Sequence, residues 1–435
     1  MFDMLPDVAL LEMFDFYLDR DKEQVEAWYT LVHVCRKWRN VVLESPRRLN
    51  LQLRCTGSTP VREMIDAWPL LPIVLSGYGR GVDNIIAALE LNDRIRQLEL
   101  DGFPSSQMEK VFAALQQPFP ALTSLRLRSG ETVPVVPALF LGGSAPQLQT
   151  LILRSIPFPG LPKLLMSATH LVTLHLSDIP DLGYVSPEAI VTCLAVLTKL
   201  KLLEIGFKSS RIRPDRRRRP LLWTRTLLPA LIYFEFKGAS EYLDDFVARI
   251  NAPILDDLHI TFFHQLIFDT PHLTQFISRT SKFKAYNTAH VEFSNRRVWV
   301  TTTDRAFTLA MSCRQSDWQL SSLAQIWGSV FIHMMEHVWI FHDHHRSLCW
   351  QDDIETSQWL ELLYAFIAVK DLYISRSFTP FIVPTLQELV GERVTEVLPA
   401  LETIFLGVSA QESIRKFITA RRLAGRPIDI SYWTF

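Results

Sequence analysis

The chain has 435 residues, 48% of them apolar and 21% charged, an ordinary globular composition that excludes wholesale disorder. Its formal net charge of −1 removes any global electrostatic case for a nucleic-acid or membrane partner. The five cysteines, at 35, 55, 193, 313 and 349, are too dispersed for a thiolate zinc site or a disulfide framework, and point to a reduced compartment, cytoplasm or nucleus.

The first fifty residues form a pattern of their own. Leu10, Met13, Phe14, Tyr17 and Leu18 recur at steps of three and four, one apolar stripe on a helix, with Pro6 just ahead of it. After the charged break DRDKEQVE a second stripe runs Trp28, Leu31, Val32, Cys35, Trp38 and Val42, and Ser45–Pro46 ends it. Asp3 and the lack of a basic opening run argue against a signal peptide. Helices this short bury too little surface to be secure alone, so a partner or the following domain must stabilise them.

This stretch resembles an F-box. The family pattern begins Leu-Pro, continues as an apolar helix ending in Ile/Leu-Phe, and closes on Val-Cys-x-x-Trp. Here those are Leu5–Pro6, Leu10, Met13–Phe14 and Leu18, then Val34–Cys35 and Trp38–Arg39, while Val8 and Ala9 depart from it. The resemblance implies that the exposed apolar residues of the module dock onto the Skp-type adaptor of a cullin-based ubiquitin ligase. It assigns that contact to Leu5, Pro6, Leu10, Met13, Phe14 and Trp38. The same periodicity would equally suit a helical cap on the downstream domain.

Beyond residue 50 the dominant feature is a repeat, L-x-x-L-x-L. It stands as LTSLRL from Leu122, LQTLIL from Leu148 and LVTLHL from Leu171, with looser copies from Ile95, Leu200, Leu231, Leu255, Met335, Val369 and Leu401. Steps of 27, 26 and 23 residues from Ile95 onward fall in the period of leucine-rich repeats. The second half of each copy is a short strand whose two apolar residues face inward. Helix signals lie between copies: a possible capping box at Ser106 and Glu109, Asp83, Ser186–Pro187, Thr270–Pro271, and Ser357. The expected fold class is therefore α/β: a helical F-box-like module over 1–50, then a repeat solenoid over 51–435 with a parallel sheet inside and helices outside. The position that usually holds Asn or Cys after each strand holds Phe103, Gly130, Ile156 and Ile179, so the turns must be closed by other means. Between about 285 and 325 the period breaks, and HVEF, RVWVTTT and AFTLAMSC read as successive strands inserted at one edge of the solenoid. WLELLYAFIAV is too short to span a bilayer and reads as a buried helix.

Few strings suggest chemistry. His333, Glu336 and His337 fit H-x-x-E-H, a metalloprotease motif that requires a helix, but they run into a strand template. His342, Asp343, His344 and His345 form a polar cluster just after it. The basic run Arg211–Arg219 sits in a long gap between templates, as a solvated loop or a nuclear-localisation signal. No metal or cofactor is expected. The informative positions are the outward residues of the strands: Glu99, Arg126, Ile152, His175, Glu204, Glu235, His259, Trp339, Tyr373 and Phe405. Aromatic residues dominate protein–protein hot spots, which makes Arg126, His175, His259, Trp339, Tyr373 and Phe405 the expected contacts for a target protein. The C-terminal segment SYWTF or the inserted strands would instead cover the aromatic members. The expectation is a non-catalytic receptor subunit of a Skp–cullin–F-box ligase, or alternatively a binding scaffold whose first helices only cap the repeats.

Overall fold

The computed structural model describes residues 5–20, 34–44, 51–67, 70–130, 134–209, 225–263, 267–268, 270–294, 296–313, 316–331, 335–342, 356–389, 391–407 and 411–433. Two compact units emerge: Met1–Val185 with Val196–Leu200, and Ser186–Ala195 with Lys201–Phe435.

The first unit holds the N-terminal helices, Asp7–Arg20 and Arg36–Glu44, and strands β1 (Leu51–Cys55), β2 (Ile73–Tyr78), β3 (Ile95–Asp101), β4 (Ser124–Arg128), β5 (Thr150–Arg154) and β6 (Thr173–Ile179). These strands pair in chain order, all parallel. Parallel neighbours need a crossover, and between successive strands here it is a helix or a short 3₁₀ turn, as between β3 and β4 (Ser105–Ala114). The template residues fill the core as their spacing predicts. Leu98, Leu100, Leu125, Leu127, Leu151 and Leu153 are at most 3% exposed, each contributing roughly 2 kcal/mol of transfer free energy.

Turns that lack Asn are closed by backbone. The N–H groups of Gly79, Gly102, Ser129 and Ser155 donate to the carbonyls of Asp101, Arg128, Arg154 and Ser177 at 3.0, 3.3, 3.1 and 2.9 Å. Each ladder thus runs one bond past its strand. Gly79 and Gly102 turn through left-handed backbone, and Ser155 (φ 58) and Asp178 (φ 51) do the same despite a Cβ, at a cost of about 1 kcal/mol each. Phe103 and Ile156, at the usual Asn position, turn inward and are buried.

The second unit holds β7 (Leu202–Phe207), the two-residue strands β8 (Thr226–Leu227) and β10 (Ile250–Asn251), which pair with each other, and β9 (Tyr233–Gly238), β11 (Asp257–Phe262), β12 (Thr288–Phe293), β13 (Arg297–Thr302), β14 (Phe307–Ser312), β15 (His337–His342), β16 (Asp371–Ile374), β17 (Thr403–Leu406) and β18 (Asp429–Tyr432). Its main sheet follows the order β7-β9-β11-β14-β13-β12-β15-β16-β17-β18. Inward strand rings meet rings on the helices or at their starts: Phe236 and Phe207 pack on Tyr242, Phe234 on Phe246, and Phe293 on Trp359 and on Phe378, which flanks helix Thr379–Gln387. The helices therefore lie on the buried side of the strands.

The inserted strands are not at an edge, as their broken period suggested. β14 pairs with β11 and β12 with β15, both parallel, while β13 lies antiparallel between them. Short hairpins permit this: Ser294 N–H donates to the Arg297 carbonyl, and Arg305, with φ 61, turns the chain from β13 to β14. Three strands joined by two reversals restore the original direction, so the meander sits inside the row. It also ends sooner than expected, since Ser316–Ile326 is helical.

Helix starts differ in detail. Ser186 caps Pro187–Leu194 as expected, its Oγ accepting from Ala189 N–H at 3.3 Å. The Ser106–Glu109 capping box does not form, because helix Ser105–Ala114 starts earlier with Pro104 as its flanking residue and no side-chain cap. Thr270 gives no side-chain cap to Pro271–Arg279. Asp244, 3% exposed on helix Ser240–Ala248, does so from the preceding repeat. Its Oδ1 accepts from His272 and Leu273 N–H at 2.8 and 3.0 Å.

Candidate functional site

The outward strand positions form continuous rows. Pairing register places Glu99, Arg126, Ile152 and His175 side by side in the first unit. In the second it aligns Glu204, Glu235 and His259. The inserted meander continues that row through Thr308, Thr301 and His290 to Trp339, Tyr373, Phe405 and Ser431.

Sequence reasoning found three members of the aromatic run, named the C-terminal segment that holds Trp433 as possible cover, and missed His290. Trp339 stacks on Tyr373 with centroids 3.8 Å apart, and Tyr373 on Phe405 at 4.1 Å. On the other side the His290 ring lies parallel to Trp339 at 5.7 Å. Paired positions on neighbouring strands stand about 4.8 Å apart with side chains on the same face, which lets rings in register lie face to face. Trp433 meets Trp339 and Tyr373 nearly perpendicularly, at 5.1 and 6.3 Å. Both faces of Trp339 are already filled, so Trp433 rests on ring edges and covers part of the row. The alternative expected from sequence, cover by the C-terminal segment or by the inserted strands, is thus realised in part by Trp433. The row members nevertheless remain only half-buried. Burial pushes the His290 imidazole below its usual range, with the Arg305 charge adding to that effect. Burial raises the Tyr373 hydroxyl, helped by Asp371.

At the other end of the row lies a different chemistry. Tyr233 donates to Glu235 Oε2 at 2.6 Å, and its ring leans on His259 at 5.3 Å. The Tyr233 hydroxyl is raised by burial first, then by the hydrogen bond to Glu235 and by the fields of Glu235, Glu204 and Asp257.

In the N-terminal module the residues assigned to adaptor contact divide. Leu10 and Phe14 are 0% and 2% exposed, and Phe14 packs edge-on against Trp38 at 4.9 Å. Lys37 Nζ donates to the Leu5 carbonyl at 2.7 Å, tying the two helices together. Among the described residues, the exposed apolar side chains of the module are Pro6, Val8, Met13 and Val34. Trp28, Leu31 and Val32 lie outside the described residues.

The H-x-x-E-H reading fails at its structural requirement. Glu336 immediately precedes β15 and His337 opens it, so neither lies on a helix. Glu336 accepts from Lys370 Nζ at 2.9 Å and His337 Nδ1 lies 2.7 Å from Asp371 Oδ2, which couples β15 to β16. His333, Asp343, His344, His345 and Arg211–Arg219 lie outside the described residues. Among the described residues no group of three or more His, Cys, Asp or Glu side chains is placed to hold a metal ion. No described helix is long and apolar enough to cross a membrane.

The strand–turn–helix repeat and its buried leucines define a leucine-rich-repeat architecture. No protein-family model and no curated protein matches the chain. Among solved structures, the leucine-rich repeat-containing protein LegL7 from Legionella pneumophila is similar at 13% identity over 87% of this chain and 98% of its own, with a TM-score of 0.29.

Proposed function

We propose that this chain is a non-catalytic recognition subunit that holds a target protein on the outward strand face of its second unit. The observation that carries this reading is the in-register row His290, Trp339, Tyr373 and Phe405, half-buried on a rigid sheet. Stacked rings are already ordered and partly dehydrated, so binding on them loses little side-chain entropy. We further propose that the F-box-like helices attach the subunit to a Skp-type adaptor of a cullin ubiquitin ligase in the cytoplasm or nucleus. Catalysis would then be proximity alone, raising the effective concentration of target lysines. Supporting the adaptor contact are the exposed apolar residues Val8, Met13 and Val34 on a module too small to be stable by itself.

The burial of Leu10 and Phe14 favours a second reading, a scaffold whose N-terminal helices only cap the repeats. A pull-down with purified Skp-type adaptor separates them. Retention by wild type and its loss in Met13→Glu, a surface change that spares Leu10 and Phe14, supports the ligase reading. No retention under conditions where a known F-box is retained leaves the scaffold.

A further inference from the structure

We infer that the outward face of the second unit fits an extended, basic segment of a partner protein. The segment crosses the strands with its cations over Glu204, Glu235 and Asp257 and its apolar side chains along the aromatic row. This rests on the proposal that the face is an interaction surface, and adds the chemistry of what binds there.

Charge complementarity selects the occupant. At outward strand positions of this unit the carboxylates are Glu204, Glu235, Asp257, Glu292, Asp371 and Asp429, against the cations Lys237 and Arg297. The first unit has the opposite bias, with Arg54, Arg96, Arg126, Arg128 and Arg154 against Glu99, Asp101 and Asp178. Three of the second unit's carboxylates stand together on adjacent strands: Glu204 pairs in register with Glu235, Asp257 pairs with Tyr233, and the Tyr233 hydroxyl donates to Glu235. A negative field of this kind draws a cationic segment and repels nucleic-acid phosphates.

Ring geometry narrows the choice further. Sugars and nucleobases bind aromatic residues by lying on open faces, but both faces of Trp339 and of Tyr373 are taken by their neighbours. Beside the part that Trp433 covers, what the row presents is edges. Ring edges carry partial positive charge and meet alkyl groups and carbonyl oxygens, which an extended peptide supplies. Strands inside the row have their backbone groups paired on both sides, so the segment adds no strand and is held by side chains.

Register also sets a length. From Glu235 the row passes through His259, Thr308, Thr301 and His290 to Trp339. At about 4.8 Å per strand this spans roughly 24 Å, or about seven extended residues.

The test is selection of a phage-displayed library of random peptides, about ten residues long, on the full chain, followed by titration of the selected peptides in solution. Two variants are compared with wild type. Glu204→Gln with Glu235→Gln keeps an acceptor for the Tyr233 hydroxyl, and Phe405→Ala removes the last ring of the row. Unchanged thermal melting of the first variant checks the fold. Expected are peptides with Lys and Arg gathered toward one end, weakened about tenfold or more by each variant and by added salt. Neutral or acidic peptides that still depend on Phe405 would overturn the basic-segment inference and leave the interaction face standing. Peptides indifferent to both variants would overturn both.

Discussion

The two units share one construction and differ on the surface it displays. In the first, charge meets charge: Glu99 lies beside Arg126, Asp101 beside Arg128, and Arg154 Nε is 3.1 Å from Asp178. In the second, ring meets ring. Exposed ion pairs are worth roughly 0–1 kcal/mol and stay hydrated, whereas each stacked ring pair adds about 0.5–1.5 kcal/mol beyond its area. The inward Leu, Ile and Phe residues are equally buried in both units. The repeat therefore constrains one side of each strand and leaves the other open to selection for a ligand.

Because the core is common, its loss should cost alike anywhere. Phe293→Ala, which removes a ring held between Trp359 and Phe378, should lower stability by about 3–5 kcal/mol in chemical denaturation. The surface rows should then separate. Tyr373→Ala should cost about 2 kcal/mol through its two stacked contacts, and Arg126→Ala less than about 0.5 kcal/mol; equal losses would erase the contrast. Asp244→Ala should cost about 1–3 kcal/mol, since it strands the buried Leu273 N–H and the half-buried His272 N–H. Ser186→Ala, at an exposed cap, should cost about 1 kcal/mol.

Acid tests the aromatic side in another way. His290 has a folded value below its ordinary 6.5, so the unfolded chain takes up its proton first. Stability should be full above pH 6.5 and fall as pH drops from there toward the lower folded value. Thermal melts of His290→Phe should lack that component, and an identical acid profile would show that His290 is not its source. The smallest effect is at a turn: Ser155→Gly should raise stability by about 0.5 kcal/mol, because relief of left-handed strain slightly exceeds the added freedom of the unfolded chain.

Much of this fold could be read from residue spacing, and the limits have physical causes. Leu-x-x-Leu-x-Leu marks each strand because burial is local in pattern: Leu122, Leu125 and Leu127 are all at most 1% exposed. The outward row was legible for the same reason, as Trp339, Tyr373 and Phe405 sit at one template position. Their stacking was not, since it depends on register between chain segments more than thirty residues apart. His290 escaped because the meander obeys no template, whereas Trp433 lies in the C-terminal segment already expected as cover. Asp244 escaped for a related reason: it caps a helix from 28 residues away, where local capping rules look only within one turn. The left-handed turn at Ser155 gave no signal, because serine is not a residue type that announces that backbone.

The meander has a consequence for how such a chain can change length. Since β12 and β14 run the same way as the strands they join, the array was spliced in its interior without reversing polarity on either side. Any hairpin pair added at a strand obeys the same parity, whereas a lone strand would turn every later repeat upside down. Growth in the middle is therefore open in steps of two strands, each bringing new outward residues into an existing row while every older neighbour beyond the splice keeps its register.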